Sequence, residues 1–350
     1  MSSDHVVVDT DAHYLEEIDN LADYVDPVDP WHRRLKGAPG KVTPSNTPDH
    51  YHYGRIKREE RTREMTPEDV PRAMDKLGID KILMLSHTMI SFSRIGADDR
   101  RPMVLARAYM EYMLDQVLDP DNGIYTAIPL PHQDPEESVE LIDDYGDERG
   151  VVGVCMITAG ASPPLGNRRY DVVYEAAQKR GLPVIFHAGG SSLDDFYIEG
   201  FEEFMESHSL GFLWSNMAQL TSILAQGTLE KFPDLDFVLQ EAGIMWVPAY
   251  LARLDAEFMK RREEAPLLEK RPSEYAAELY YGTQPIEEPR DMEYFEKTIE
   301  AMGGPDQLMY ASDYPHWDYD PPSSITDIPF LSEAEQAKVL GGNAEEVFGI

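Results

Sequence analysis

Cysteine is almost absent from this chain of 350 residues, in which Cys155 is the only one. A single cysteine excludes an intramolecular disulfide, so the fold depends on packing rather than on covalent cross-links. Cys155 lies in the apolar run 151–157, where a buried small hydrophobic residue is more common than a reactive nucleophile. We therefore expect Cys155 to be structural and the protein to reside in a reducing cytoplasm.

Long hydrophobic runs and positive charge are also scarce. No apolar run reaches the roughly 18 residues of a membrane span, and residues 1–5 do not begin a secretory signal. The chain has 31 basic residues against 65 acidic ones, a net charge of −34. This balance disfavours nucleic acids and anionic membrane surfaces as partners. We therefore expect a protein that acts on small molecules, without membrane insertion.

Apolar runs typical of buried strands alternate along the chain with segments of helical periodicity. The predicted strands are 6–11, 81–86, 124–128, 151–157, 183–187, 237–241, 279–283 and 308–312. The predicted helices are 66–77, 101–118, 135–148, 170–180, 213–231, 245–262, 290–302 and 332–347. Eight such pairs favour one parallel (β/α)8 TIM barrel, an α/β fold, as a single domain over residues 1–350. An open doubly wound sheet is the alternative, but no Gly-rich dinucleotide turn follows the first strand.

Two connections are longer than the others. Residues 14–65 follow the first predicted strand, and residues 188–212 follow the fifth. Both leave the carboxyl ends of strands, where a barrel carries its active site, so we expect them to overhang that site as lids. The segment 14–65 is also suited to serve as a dimer arm, and we expect a homo-oligomer.

Acidic and imidazole side chains stand at the ends of three predicted strands. Asp11 and His13 follow the first strand, His187 ends the fifth and Asp313 follows the eighth. Each taken singly has an ordinary alternative, a turn cap or a core histidine. Because strand ends converge at one face of a barrel, their coincidence predicts a single divalent metal site. Two imidazole nitrogens and two carboxylate oxygens suit Zn²⁺ first, with Mn²⁺ or Fe²⁺ as alternatives.

Glu241 and His316 are expected beside this site. Glu241 ends the sixth predicted strand and is a candidate general acid or base, a partner of a metal ligand, or a ligand of a second metal. Its alternative role is a structural salt bridge. His316, three residues after Asp313, is a candidate to reach the substrate or to orient a ligand, with packing on Trp317 as the alternative.

Aromatic and basic residues are candidates to line a substrate pocket. They are Trp31, Tyr51, Tyr53, Trp246 and Trp317 for an aromatic wall, and Arg55 or Arg94 for a second substrate carboxylate. Because aromatic residues pack in cores more often than they contact ligands, none of them is singled out.

Several motifs together resemble the amidohydrolase superfamily, in particular the branch that includes aminocarboxymuconate semialdehyde decarboxylase and the aromatic-acid decarboxylases. The resemblance covers nearly the whole chain, through the segments 9–13, 74–80, 182–189, 232–235, 241–248, 253–255 and 312–316. It implies a distorted (β/α)8 barrel with one divalent metal bound by Asp11, His13, His187 and Asp313. Asp11 departs from the family's more usual His or Glu. Glu241 stands where the decarboxylases often have a catalytic histidine.

The resemblance implies one of two reactions on the same residues. As a decarboxylase, the enzyme removes CO₂ from a small aromatic or unsaturated carboxylic acid, and Asp313 or a nearby acid protonates the carbon. As a hydrolase of an ester, amide or lactone, it uses Asp313 to deprotonate a metal-activated water. The whole-chain pattern favours the decarboxylase, whereas Glu241 favours the hydrolase. An inactive scaffold barrel is the remaining alternative, but it requires a lost ligand position and none is lost.

The acidic excess predicts that stability depends on salt. Carboxylates spread along a whole chain are typical of proteins adapted to a salty cytoplasm, and a merely acidic protein is the alternative. For an adapted protein, we expect Tm to rise with KCl even above about 1 M, where the Debye length is only about 3 Å and simple screening is nearly complete. Thermal unfolding across a KCl series measures this, and a Tm indifferent to salt rules the adaptation out.

Overall fold

Eight parallel strands form a barrel in the computed structural model, which describes residues 5–37, 65–96, 99–189, 201 and 204–350. The strands, paired in chain order, are β1 Val8–Tyr14, β2 Lys81–Ser86, β3 Ile124–Pro129, β4 Val151–Ile157, β5 Val184–His187, β6 Phe237–Gln240, β7 Tyr280–Gly282 and β8 Leu308–Met309. Backbone hydrogen bonds from Thr10 and His13 to Tyr310 and Tyr314 bring the last segment against β1. The predicted (β/α)8 barrel is therefore confirmed.

Helices alternate with the strands and cover the barrel. They are α1 Ile18–Leu21, α2 Pro30–Gly37, α3 Asp69–Leu77, α4 Arg101–Tyr112, α5 Pro135–Tyr145, α6 Asp171–Arg180, α7 Phe204–Ala225, α8 Thr228–Lys231, α9 Val247–Phe258, α10 Pro272–Ala276, α11 Met292–Ala301, α12 Ser323–Thr326, α13 Glu333–Ala337 and α14 Asn343–Phe348. Short π-helical segments, Met113–Val117 and Lys338–Gly342, extend α4 and α13. No helix in the described ranges combines the length and apolarity that a membrane span needs.

Strand boundaries differ from the predictions where polar residues continue or interrupt a strand. β1 runs on to Tyr14 instead of ending at residue 11, because its register with β2 continues through His13 and Tyr14. β8 ends at Met309 instead of residue 312. The extended conformation is lost by Asp313, whose φ of +63° belongs to the left-handed region.

The two long connections are partly regular. The connection after β1 contains α1 and α2, and residues 38–64 lie outside the described part. The helix predicted to begin at residue 213 begins at Phe204, so the connection after β5 is shorter than predicted. The lid and dimer-arm roles, the single-domain organisation, the homodimer and the cytoplasmic location stay predictions.

The interior is packed as the composition led us to expect. Apolar residues from every strand form one contiguous buried cluster, and Cys155 in β4 belongs to it with 1% of its surface exposed. Burial raises the pKa of the Cys155 thiol well above its usual value, so the thiol is protonated. Cys155 is therefore a buried small hydrophobic residue, as predicted.

Glu16 is a buried acid that ties the end of β1 to the segment following β2. Its Oε2 accepts hydrogen bonds from the backbone nitrogen (3.0 Å) and the hydroxyl (2.9 Å) of Thr88. Burial raises its pKa from 4.5 to about 7, although hydrogen bonds from Ser86 and Thr88 oppose the shift. The contact fixes the backbone beside His87, which faces the barrel mouth.

Because of Glu16, the free energy of unfolding should decrease as the pH rises from 4.5 to about 7. In that window the folded protein keeps a proton on Glu16 that the unfolded chain has lost, so raising the pH favours unfolding, by about 3 kcal/mol at most. Gln can accept the same two bonds without ionising. The free energy of unfolding is measured with urea for wild type and Glu16→Gln at pH 5 and at pH 8. Relative to wild type, the variant should be more stable at pH 8 than at pH 5. A difference independent of pH would contradict this.

Candidate metal centre and adjoining cavity

Three side chains from β1 and β5 converge at the carboxyl-terminal mouth of the barrel. Oδ1 of Asp11 lies 3.4 Å from Nε2 of His187 and 3.7 Å from Nε2 of His13, and the two Nε2 atoms are 3.1 Å apart. All three side chains are fully buried. Ligand atoms about 2.1 Å from one cation lie about 3.0–3.5 Å from each other, so this spacing is close to that of a ligand set.

Two further carboxylates reach the same cluster from β6 and β8. Oδ1 of Asp313 lies 3.1 Å from Nε2 of His13, and Oε2 of Glu241 lies 3.2 Å from Nε2 of His187. Glu241 and Asp313 have φ values of +57° and +63° and are the non-glycine residues with positive φ in the described chain. This conformation costs about 1 kcal/mol per residue. Such backbone strain is concentrated at functional sites, where it aims a side chain that a regular strand would direct elsewhere.

Three carboxylate oxygens of this cluster lack hydrogen-bond partners. Both carboxylate oxygens of Asp11, and Oε2 of Glu241, are buried without a hydrogen bond to any described residue. His187 turns Nδ1 toward the carbonyl of Ala188 at 2.7 Å, so Nδ1 donates its proton there and Nε2 directs its lone pair into the cluster. Because an unpartnered buried carboxylate is costly, these residues fit a divalent cation bound between them.

The electrostatics of the cluster favour added positive charge. Burial raises the pKa of Glu241 well above its usual value, and the charges of Asp313 and Asp11 raise it further. Burial lowers the pKa of His13 well below its usual value, with His316 and His187 adding to the shift. His13 is thus neutral, the form in which imidazole binds metals. Burial lowers the pKa of His187, but Asp11, the carbonyl of Ala188 and Asp313 together raise it by more, so the net shift is upward.

Asp9 supports the cluster without reaching it. Its carboxylate accepts hydrogen bonds from the backbone nitrogen (2.9 Å) and hydroxyl (2.5 Å) of Ser312, and from the backbone nitrogen of Asp11 (3.2 Å). In addition, the nitrogen of Asp313 donates to the carbonyl of Asp11 at 2.6 Å. These bonds fix the segment after β8 against β1 and so set the separation of the two candidate ligands.

His316 contacts Asp313. Its Nδ1 lies 2.5 Å from Oδ1 of Asp313, and its Nε2 lies 3.2 Å from Nδ1 of His87. This contact is compatible with the predicted role of His316 in orienting a ligand, and that role stays a prediction. His87 was missed by sequence reasoning, although it follows β2 directly, just as Asp313 follows the eighth strand.

A cavity of about 390 Å³ opens beside Glu241. Phe212, Leu213 and Trp317 give it apolar walls, while Gln284 and Asp318 add polar groups. Trp317 thus borders it, as considered from the sequence. Phe212 was missed because α7 was predicted to begin only at residue 213, and Gln284 was missed although it closely follows a predicted strand.

Three of the other pocket candidates from the sequence lie in the described part of the chain and are not among the residues that border this cavity. Trp31 and Trp246 pack against the hydrophobic core. Arg94 belongs to the 3₁₀ segment after β2 and is not among the described residues that border the cavity. Tyr51, Tyr53 and Arg55 lie outside the described residues.

Replacing Asp11 with Asn should stabilise the metal-free protein and weaken metal binding. The amide removes a buried negative charge that repels its carboxylate neighbours, a gain of about 1–2 kcal/mol in the presence of a chelator. The same change removes a charged ligand, so affinity for Mn²⁺ or Zn²⁺ should fall about 100-fold or more. Unfolding with chelator and calorimetric metal titration measure the two effects.

Asp9→Asn is the matched control, since Asp9 is an equally buried acid two residues earlier on the same strand. Its carboxylate is fully engaged with Ser312 and Asp11, so the amide should destabilise the protein by about 1–2 kcal/mol with or without metal. An Asp11→Asn variant that is also less stable in chelator would show that the oxygens of Asp11 are structural.

Comparison with known proteins finds relatives of this chain in sequence and in structure. A sequence model described as amidohydrolase matches residues 8–350. Gamma-resorcylate decarboxylase of Polaromonas sp. (strain JS666 / ATCC BAA-500) is 23% identical over 285 residues, which cover 79% of this chain and 85% of that protein.

Solved structures share the barrel over its full length. The crystal structure of 5-carboxyvanillate decarboxylase from Sphingomonas paucimobilis superposes with a TM-score of 0.72 at 20% identity, covering 100% of both chains. Dihydroxybenzoic acid decarboxylase from Polaromonas sp. JS666, solved with bound manganese and the inhibitor 2-nitroresorcinol, superposes with a TM-score of 0.71 at 19% identity, covering 99% of this chain and 97% of that one. At these identities the superpositions establish the fold.

Proposed function

This chain belongs to the amidohydrolase family, and from that premise we propose that it is a metal-dependent decarboxylase of a small aromatic carboxylic acid. The observation that carries the proposal is the set of buried, unpartnered carboxylate oxygens at ligand spacing from two imidazole nitrogens, directly beside a cavity with aromatic walls. The cavity volume of about 390 Å³ lies in the range of small-molecule sites. The decarboxylases named above support the choice of reaction.

We assign the metal to Asp11, His13, His187 and Asp313. The zinc preference drawn from the sequence stays a prediction. Mn²⁺ is the better first choice for reconstitution, because two of the four assigned ligands, Asp11 and Asp313, are carboxylates and carboxylate oxygens suit Mn²⁺. Manganese is also the ion bound in the dihydroxybenzoic acid decarboxylase.

A bound divalent cation would supply positive charge beside the substrate carboxylate and against the negative charge that develops as CO₂ departs. We assign the proton donor to Glu241, because the residue borders the cavity and burial raises the pKa of its carboxyl group, which favours the protonated form. The carbon–carbon bond breaks, its electron pair remains with the ring carbon, and the proton of Glu241 forms the new C–H bond. Solvent then reprotonates Glu241.

Asp313 has a different part in this scheme. Because His316 already contacts its Oδ1, Asp313 is held as an acceptor facing His13 and is not free to rotate toward the cavity. We assign His316 as the residue that orients Asp313. Apolar Phe212 and Trp317 would hold the substrate ring and exclude water from the departing carboxylate.

Manganese-loaded protein should release CO₂ from hydroxybenzoates and should not release acid from simple esters. Glu241→Gln keeps the shape of the side chain but has no proton to give, so CO₂ release should fall by about 10²–10⁴-fold with metal content unchanged. Asp313→Asn should abolish CO₂ release and also lower bound metal. Carbon dioxide, acid and metal content are measured separately on each variant.

Ser209→Ala serves as the control, since Ser209 borders the cavity but its hydroxyl already donates to the carbonyl of Met205 at 2.6 Å. It should keep wild-type activity. Acid release from esters without any CO₂ release would contradict the proposed decarboxylase. It would instead support the hydrolase, in which Asp313 deprotonates a metal-activated water.

A further inference from the structure

Glu287 holds the chain that follows Glu241. Its Oε2 accepts hydrogen bonds from the backbone nitrogens of Ile244 (2.8 Å) and Met245 (2.7 Å), just before α9. Backbone N–H groups near the start of a helix have no partner within the helix, so a side-chain oxygen that accepts two of them fixes the chain there. Because Glu287 follows β7 and the two nitrogens follow β6, these bonds join neighbouring segments of the barrel mouth.

Gly243 is the residue against which the carboxyl group of Glu287 packs. A Cβ atom placed on Gly243 would lie only 2.5 Å from the carboxyl carbon of Glu287, far inside van der Waals contact. Gly243 also has a φ of +65°, in the left-handed region that glycine adopts without strain. Since two hydrogen bonds hold the carboxyl group, a side chain at position 243 would have to displace it from Ile244 and Met245.

The turn that Glu287 holds is the one that aims Glu241. Glu241 follows β6 directly and has a φ of +57°, two residues before Gly243. The indole nitrogen of Trp246 adds hydrogen bonds to the carbonyls of Ala242 (3.0 Å) and Gly243 (3.1 Å). A residue other than glycine is strained at positive φ, so surrounding contacts must keep it in this conformation.

The segment that carries Glu287 is itself anchored. Before it, the nitrogen of Ile286 donates to the carboxylate of Asp320 at 2.9 Å. Nearer to β7, the nitrogen of Thr283 donates to the carbonyl of Met309 at 3.0 Å. Glu287 therefore reaches the turn after β6 from a fixed base, as the support of a functional side chain requires.

An ordinary helix cap explains the two hydrogen bonds but not the position of Glu287. Capping residues lie immediately before the helix that they cap, as Asp291 does for α11, where its carboxylate accepts from the nitrogen of Glu293 at 3.1 Å. Glu287 comes from another strand connection, 43 positions from Ile244. It also borders the cavity together with Glu241.

We propose that Glu287 is a positioning residue for Glu241, which holds the turn at residues 241–245 so that the carboxyl group of Glu241 stays aimed at the substrate. The inference rests on the proposed function, in which Glu241 delivers the proton to the ring carbon. Glu287 transfers no proton itself, and its Oε2 keeps both backbone hydrogen bonds throughout the reaction.

The test measures kcat, KM and metal content of manganese-loaded variants with a hydroxybenzoate that wild type decarboxylates. In Glu287→Ala, kcat should fall about tenfold to 100-fold with KM and metal content little changed, since a misplacement of about 1 Å can cost that much. Glu287→Gln keeps an oxygen that can accept both bonds and should recover most of the loss.

Asp291→Ala is the matched control. It removes a carboxylate that caps α11 and is not among the described residues that border the cavity. This variant should lower Tm, as Glu287→Ala does, but should keep the wild-type kcat. A loss of kcat in both variants would show that any weakened helix start has this effect, and would overturn the specific role of Glu287.

A double-mutant cycle and hydrogen exchange separate positioning from a general structural role. If Glu287 acts through Glu241, Glu287→Ala should lower the residual kcat by less than about twofold in a Glu241→Gln background. Without any turnover, amide hydrogen exchange in residues 241–246 should be faster in Glu287→Ala than in wild type.

The possible results distinguish this role from the proposed function. A wild-type kcat in Glu287→Ala, an equal loss in both backgrounds, or unchanged exchange in residues 241–246 overturns the role of Glu287 and leaves the decarboxylase intact. A wild type that releases no CO₂ overturns the proposed function, and faster exchange in Glu287→Ala then supports the hold on the turn alone. Glu287→Asp, one methylene shorter, replaces the alanine variant if that variant does not fold.

Discussion

The repulsion among carboxylates buried at the barrel mouth is the constraint on which the rest of the site depends. Asp11, Glu241 and Asp313 arrive from three strands, are almost fully buried and come close to the same two imidazoles. Charges in such a position destabilise the fold unless positive charge or protons are added. The barrel tolerates them because its core is large and the cluster is confined to one end, where function requires it.

The elements around the cluster hold the carboxylates together against this repulsion. Asp9 binds Ser312 across the junction between the first strand and the segment after the eighth, and the nitrogen of Asp313 donates to the carbonyl of Asp11. Left-handed backbone at Glu241 and Asp313 directs both carboxylates toward the centre. The strain and the cross-strand bonds together preorganise a donor set that would otherwise spread apart.

Sequence reasoning predicted the barrel and the convergence of the four candidate ligands because both follow from periodicity and strand-end position. The runs 81–86 and 151–157 coincide with strands, since apolar residues alone define them. It failed where geometry is set by long-range contacts. The length of β1 depends on pairing with β2, and β8 ends at Met309 where its pairing with β7 ends, neither of which a local pattern encodes.

The missed site residues have the same explanation. His87 and Gln284 follow strands two and seven, and applying the strand-end rule to all eight strands would have found both. Nothing local distinguishes them from ordinary loop residues, however, because their importance comes from what they face. His87 lies against His316, a residue 229 positions away, and Gln284 borders a cavity whose far wall is formed by α7.

The glutamate at the end of the sixth strand is consistent with the charge balance of the site. In the proposed site, the carboxylates of Asp11 and Asp313 would balance the two charges of a divalent cation, and a substrate carboxylate would add a third negative charge. An ionised Glu241 would add a fourth negative charge beside Asp318 at the edge of the cavity.

Burial and these neighbours raise the pKa of Glu241, so the protonated form is favoured. A histidine here could carry a positive charge, whereas a glutamic acid can at most be neutral. Protonation of Glu241, the one carboxyl group among the three in the described cluster that borders the cavity, limits the total negative charge there.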